Sequence, residues 1–151
     1  MRELHQPHAT RRQLNLQIST NQQAPLKMKT DAYRLRQVLN HLVDNAIKFS
    51  PAGSRVAMRT FAAEGRAIVD VSDTGPGVPL AARAHIFDRF YRASADVEGN
   101  GLGLAIARSA VEASGGTLTL ERTGPEGTTF RLSVPASMPD QIGRASCRER
   151  V

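Results

Sequence analysis

The stretch HLVDNAIKFS, His41–Ser50, decides how this chain is read. Together with the residues before it, Leu35, Val38, Leu39, Leu42, Val43, Ala46 and Ile47 recur at the i, i+3, i+4, i+7 spacing of a helix with one buried face. Asp31 suits the N-cap of that helix, and Pro51 with Gly53 stops it near Ser50. The opposite face carries a compact polar stripe. At about 100° per residue, Gln37, His41, Asn45 and Lys48 fall within roughly 80° of one another. A solvated helix surface accounts for such a stripe, and so does a face turned toward a charged ligand. The helix alone does not separate the two.

Outward from this helix, the chain alternates short strands with one further helix. Residues 1–10 read as the end of a preceding helix or a linker. Gln13–Ser19, QLNLQIS, alternates polar and apolar residues as a half-buried strand does, and NQQAPLKMKT reads as a turn into a short strand. After the helix, SRVAMRTFAAE and GRAIVDVSD are two strands joined at Glu64–Gly65, a hairpin signal. DTGPGVP is too rich in glycine and proline for a regular element. Pro79 to about Asp88 has room for one or two short helices, and Tyr91–Asn100 shows no periodicity. LGLAIARSAVEASGG is the second long helix, closed by Gly115–Gly116 as its C-cap. GTLTLER and GTTFRLSVP are two last strands around the turn TGPEG. The order β-β-α-β-β-loop-α-β-β predicts an α+β fold. Its two helices lie on one face of a mixed, mostly antiparallel sheet, a two-layer α/β sandwich.

Composition sets bounds on this reading. The chain has 151 residues, 40% hydrophobic and 23% charged, an ordinary balance for one globular domain. No apolar run approaches the roughly 18 residues of a membrane span, and MRELHQPHAT is polar and mixed in charge, unlike a signal peptide. A cytoplasmic domain without membrane contact is the expectation. The single cysteine, Cys147, rules out an internal disulfide framework. The formal charge of +6 points toward nucleic acid, but the chain's end inflates it. Residues 137–151 are expected to be a disordered tail. Within it Ile142–Val151, IGRASCRERV, matches the in-frame translation of a common sequencing-library adapter and is set aside from fold reasoning. Its three arginines against one glutamate carry +2 of the total, and Cys147 lies there as well. The basic residues have no interleaved aromatics, so no nucleic-acid partner is expected.

Three further stretches carry candidate chemistry. In DTGPGVP, Asp73–Pro79, an aspartate at a strand end is followed by Gly75 and Gly77. This gives a carboxylate beside backbone that a ligand can approach, able to accept a hydrogen bond from an exocyclic amine; a plain Asp-Gly turn fits equally. GNGLGL, Gly99–Leu104, puts Gly99, Gly101 and Gly103 before a helix, where free N–H groups and the helix dipole favour phosphate. A glycine-rich loop without a ligand is the alternative. FDRFYR, Phe87–Arg92, offers Arg89 and Arg92 to a phosphate, or else a hydrophobic staple with solvated arginines.

Together, in this order and spacing, the four stretches resemble the catalytic ATP-binding domain of sensor histidine kinases, in the superfamily that also holds DNA gyrase and MutL. HLVDNAIKFS resembles the N box, DTGPGVP the G1 box, IFDRFYR the F box and GNGLGL the G2 box, and the resemblance runs over roughly residues 10–135. It implies the Bergerat-type ATP-binding fold over residues 11–136, with ATP and Mg2+ as cofactors. It implies that Asn45 holds Mg2+ between the phosphates and that Lys48 contacts phosphate. Asp73 would read the adenine amine. Gly75, Gly77, Gly99, Gly101, Leu102 and Gly103 would let backbone approach the nucleotide, with Arg89 and Arg92 near the phosphates. Tyr91–Asn100 would be a lid over them.

One position departs from the pattern. Where these kinases usually carry a second asparagine, four residues before Asn45, this chain has His41. Imidazole is a poorer Mg2+ ligand than an amide oxygen. Three readings stand: a doubtful metal ligand with weakened Mg2+ binding, a general base for ATP hydrolysis, or a tolerated substitution. None of His5, His8, His41 and His85 stands in the setting of a phosphoacceptor histidine, with an acidic residue following and a proline nearby; ELHQP around His5 comes nearest and reads as a linker remnant. The resemblance therefore implies a histidine kinase catalytic domain that acts on a histidine of a separate dimerisation domain, without phosphorylating itself in cis. It implies a downstream response regulator and a cytoplasmic location, in a parent kinase that the inner membrane can anchor. The alternatives are an ATPase or serine kinase of the same superfamily, and a non-catalytic nucleotide-sensing module.

Overall fold

A computed structural model describes residues 6–7, 15–20, 32–91 and 103–136. Helix α1 (Ala32–Phe49) buries Val38, Leu42, Val43, Ala46 and Ile47, with Leu35 and Leu39 partly covered. The 3.6-residue period of these side chains is what makes the segment a helix once a sheet is there to receive it. At its end Ser50 turns back so that its hydroxyl donates to the Ala46 carbonyl at 2.7 Å. Pro51 then prevents continuation.

Five strands form one sheet in the order β1-β2-β3-β5-β4: β1 (Asn15–Thr20), β2 (Arg55–Ala63), β3 (Arg66–Asp73), β4 (Thr117–Gly124) and β5 (Gly127–Pro135). β1 runs parallel to β2, pairing Asn15 with Arg55 through Thr20 with Thr60, and α1 is the crossover that a parallel pair requires. The other neighbours are antiparallel. The β2–β3 hairpin turns on Glu64 and Gly65, both left-handed at φ 52° and 75°, which matches the right-handed strand twist. Helix α2 (Gly103–Ala113) ends in a Schellman motif: Gly115 has φ 79°, its N–H donates to Glu112, and the Gly116 N–H reaches Val111 at 2.9 Å.

Both helices lie on one face of the sheet. Ala107 and Val111 of α2 join the α1 stripe over Val56, Met58, Val69, Val71, Leu118, Phe130, Leu132 and Val134 in one core. Alternation carries Ile68 and Asp70 of β3 to the other face. There Asp70, 5% exposed, accepts two parallel hydrogen bonds from Arg131 at 2.8 and 2.9 Å. Arg59 approaches Asp70 at 3.7 Å and stacks over Phe61, while Arg131 also meets Glu121 at 3.4 Å. A bulge between Leu120 and Arg122 turns that glutamate toward Arg131.

The α+β two-layer reading is what the structure shows. Two expectations change in detail. The first strand, expected over Gln13–Ser19, is seen over Asn15–Thr20 and runs one residue further at its end; Gln13 and Leu14 lie outside the described residues. Between Pro79 and Asp88 there is one 3-10 turn, Leu80–Ala82, followed by successive turns closed by His85, Asp88 and Tyr91 N–H groups, since no apolar period there sustains a longer helix. The short strand expected in NQQAPLKMKT, the lid Tyr91–Asn100 beyond Tyr91, and the tail 137–151 lie outside the described residues. Among the described residues no helix is long and apolar enough to cross a membrane.

Candidate functional site

The site is built along the polar stripe of α1. His41 and Gln37 are exposed, and Asn45 and Lys48 are half-buried. A Cβ on Gly103, the first residue of α2, would sit 3.6 Å from His41 Nδ1. Two turns further on, the Phe49 carbonyl oxygen lies 3.3 Å from where a Cβ on Gly75 would sit. The stripe therefore runs about 12 Å along the helix, with the start of α2 at one end and the DTGPGVP loop at the other. Asn45 lies between them. Among the described residues α2 has no acidic side chain in its first turn, which suits an anion at that end. Lys48 pairs with Asp44 at 3.5 Å, an exposed i,i+4 contact that costs little to rearrange.

Asp73 is the last residue of β3, on the helix-facing side. Its Oδ1 accepts from the Gly75 N–H at 2.9 Å, and its carboxylate also takes the Thr128 backbone N–H. Burial pushes the Asp73 carboxyl above its usual value, against the lowering by those two N–H donors. The loop itself is held from several sides. Thr74 exchanges hydrogen bonds with the Arg55 backbone at 2.8 and 3.0 Å. The Val78 N–H donates to Thr123 Oγ1 at 2.7 Å, and Thr123 and Thr128 hydroxyls meet at 2.9 Å.

Glycine is required where this loop crosses the β4–β5 turn. Gly77 has φ 87°, and a Cβ there would lie 2.3 Å from the Gly124 carbonyl oxygen. Gly127 approaches as closely from the other side, with its Cβ position 2.0 Å from the Asp73 carbonyl oxygen. Thr123, Thr128 and Gly127 are thus positioning residues for Asp73 that the sequence reading passed over, taking TGPEG as a turn and nothing more. The available signal was a second glycine-bounded turn flanked by threonines, but only the β3–β5 register, Asp73 opposite Thr128, gives it meaning.

The FDRFYR stretch divides. Phe87 packs edge-on against Phe130 at 6.1 Å and lies under Arg108, whose guanidinium is 4.8 Å from the ring. It is a core anchor, the staple reading. Arg89 is exposed beside Phe90, itself 70% exposed with φ 67°. Arg92, Gly99, Gly101 and Leu102 lie outside the described residues.

The described residues contain no group of three or more His, Cys, Asp or Glu side chains able to hold a metal by themselves. That suits Mg2+, which prefers phosphate and water oxygens with only one or two protein ligands. Asn45, a neutral amide on the half-buried polar stripe of α1, fits such a role.

The family model described as "Histidine kinase-, DNA gyrase B-, and HSP90-like ATPase" matches residues 30–138. The chain is 45% identical over 108 residues to the sensor protein DivL of Caulobacter vibrioides, covering 72% of this chain and 14% of that protein. The fold is similar to a mycobacterial sensor histidine kinase MprB, at 31% identity and a TM-score of 0.72, over 87% of this chain and 90% of that one. It is also similar to full-length ShkA in complex with AMPPNP, at 34% identity and a TM-score of 0.79, over 90% of this chain and 28% of that one. The chain thus spans a small part of the length of the DivL and ShkA proteins. It belongs to the histidine kinase-, DNA gyrase B- and HSP90-like ATPases, and within them it is the ATP-binding catalytic domain of the sensor histidine kinases.

Proposed function

We propose that the unit formed by residues 11–136 binds ATP with Mg2+ and donates the γ-phosphoryl group to a histidine carried by a separate dimerisation domain. A response regulator is then the acceptor further downstream. The observation that carries this reading is the continuous polar edge of α1, with His41 against Gly103, Asn45 between, and Phe49 beside Gly75 and Asp73. Asp73 supplies a fixed carboxylate for the adenine amine. Lys48 supplies a mobile point charge for phosphate. Mg2+, when bound, would offset charge on the phosphates, and Asn45 would hold it. Full-length ShkA, to which this chain is similar, is in complex with AMPPNP, an ATP analogue, which supports a nucleotide as the ligand. Transfer also needs an acceptor imidazole placed in line with the leaving ADP oxygen, which none of the chain's own motifs supplies.

Calorimetric titration of the chain with ATP, with and without Mg2+, tests the binding half. Incubation with γ-labelled ATP and a supplied dimerisation domain tests the transfer half. Mg2+-dependent binding followed by label on the acceptor histidine is the expected result. Steady release of inorganic phosphate without an acceptor would replace it by the ATPase reading. Binding without either reaction would leave a nucleotide-sensing module.

A further inference from the structure

We propose that the helix-free face of the sheet docks a carboxylate-rich, extended segment of another protein, held by Arg55, Arg59 and Arg122. This surface lies opposite the helices and does not rest on the nucleotide site. Both helices pack on the other face, where the core lies. Strand register sets Ala57 of β2, Ser72 of β3, Thr129 of β5 and Arg122 of β4 in one row across four strands. Alternation turns this row away from the core, because Val56, Met58, Val71 and Phe130 beside it point inward. Ala57, Ser72 and Thr129 are short side chains and make a low floor. The Ser72 and Thr129 hydroxyls satisfy each other at 2.9 Å. The next row brings Arg59, Asp70 and Arg131 together, and Arg55 stands two residues from Ala57 on the far side. Arginines therefore fence the floor on three sides.

Charge selects the occupant. Asp70 already accepts two hydrogen bonds from Arg131, and it reaches Arg59 only at 3.7 Å. Arg55 and Arg122 are exposed, and among the described residues their guanidinium groups have no hydrogen-bond or ion-pair partner. Against these four arginines the face sets only Asp70, which is buried, and Glu121, which meets Arg131 at 3.4 Å. The surplus favours an acidic partner, since guanidinium forks bind carboxylates bidentately, as Arg131 already binds Asp70. Nucleic acid fits less well. The ring on this face, Phe61, is already engaged by Arg59 at 4.9 Å and Arg131 at 5.6 Å, so bases find no free stacking platform among the described residues. The chain's own charge of +6 disfavours a second copy. From β2 to β4 is three strand spacings, about 14 Å, which roughly four residues of extended chain cover. Carboxylates that far apart in an extended segment reach both ends of the floor.

The test uses the full chain with a fluorescein-labelled deca-glutamate peptide as probe, read by fluorescence anisotropy at low salt, where exposed charge pairs are least screened. An oligothymidylate of the same length is compared. The double variant Arg55→Gln/Arg122→Gln removes two exposed charges from the fence, and Arg36→Gln removes one from the exposed side of α1. Circular dichroism verifies folding. Deca-glutamate is expected to bind, about tenfold more weakly to the double variant and less than about twofold more weakly to Arg36→Gln. In 1H–15N spectra of the natural chain, peptide-induced amide shifts should gather on Ala57, Ser72 and Thr129, a readout that stands whether or not the variant folds. AMPPNP should not displace the peptide. Absence of binding, or shifts that avoid these three residues, overturns the proposal. Displacement by AMPPNP also overturns it and puts the peptide at the nucleotide edge. Binding that the folded double variant retains in full overturns it in favour of the basic residues of 142–151. Oligothymidylate that binds more tightly than deca-glutamate, and is lost in the double variant, overturns the acidic partner and assigns the face to nucleic acid.

Discussion

Asp73 is under two opposed influences. Burial raises its carboxyl, and the Gly75 and Thr128 N–H groups lower it, with burial the larger. A carboxyl whose folded pKa is raised contributes stability that is fully present below its unfolded value and is lost as pH rises through the folded value. Where it is ionised, Asp73 is thus a cost to the nucleotide-free fold. Asp73→Asn removes the charge but leaves an oxygen to accept from Gly75. We expect its melting midpoint to equal or exceed that of the natural chain, while ATP affinity falls about 10–100-fold, the worth of a charge-assisted hydrogen bond. A lower midpoint with unchanged ATP titration would sink this assignment. Gly77 offers a second residue-scale test, against Gly53. Both have φ near 88°, but a Cβ at Gly53 meets nothing within 4 Å, whereas at Gly77 it meets Gly124 backbone. In urea unfolding, Gly53→Ala should cost about 1–2 kcal/mol for the left-handed conformation alone. Gly77→Ala should cost clearly more, and equal costs would show that the loop crossing gives way.

At the scale of elements, what sequence could and could not show depends on the range of the interaction. α1 was legible because its period, its stop at Pro51 and its polar stripe are all local. The β2–β3 hairpin was legible from Glu64–Gly65, and the end of α2 from Gly115–Gly116. Asp70 was not singled out, although it alternates onto the outer face of β3. Its importance comes from register: Arg59 opposite on β2 and Arg131 opposite on β5. Nothing short of that three-strand alignment shows a buried carboxylate held by two arginines. The coupling should also be asymmetric. Arg131→Met leaves Asp70, with a side chain 7% exposed, facing only Arg59 at 3.7 Å, and should cost about 3 kcal/mol. Asp70→Asn leaves Arg131, 32% exposed, able to rehydrate, and should cost about 1 kcal/mol. The double variant should cost less than the two together by about 0.5–3 kcal/mol. A larger cost for Asp70→Asn than for Arg131→Met, by chemical denaturation, would reverse this account.

At the scale of the molecule, the site belongs to no single element. α1 supplies the polar edge, α2 its first residue Gly103 beside His41, β3 the carboxylate, and the β4–β5 turn the backbone against which the DTGPGVP loop is pressed. That is why the motif residues were legible from sequence as separate pieces while Thr123, Thr128 and Gly127 were not. The same arrangement links nucleotide binding to the stability of the whole fold. Nucleotide at 100 times its dissociation constant should stabilise the chain by about 2.7 kcal/mol, seen as a raised melting midpoint. That increment should shrink as pH falls into the raised titration range of Asp73. Protonation there relieves the buried charge in the nucleotide-free chain and simultaneously removes the ionised acceptor from the adenine amine. The melting curves with and without AMPPNP should converge on acidification, and the same convergence with adenosine, which has no phosphate to titrate, would assign it to Asp73. An increment independent of pH for both ligands would mean that the Asp73 carboxylate does not face the base, and the adenine would have to be sought elsewhere along α1.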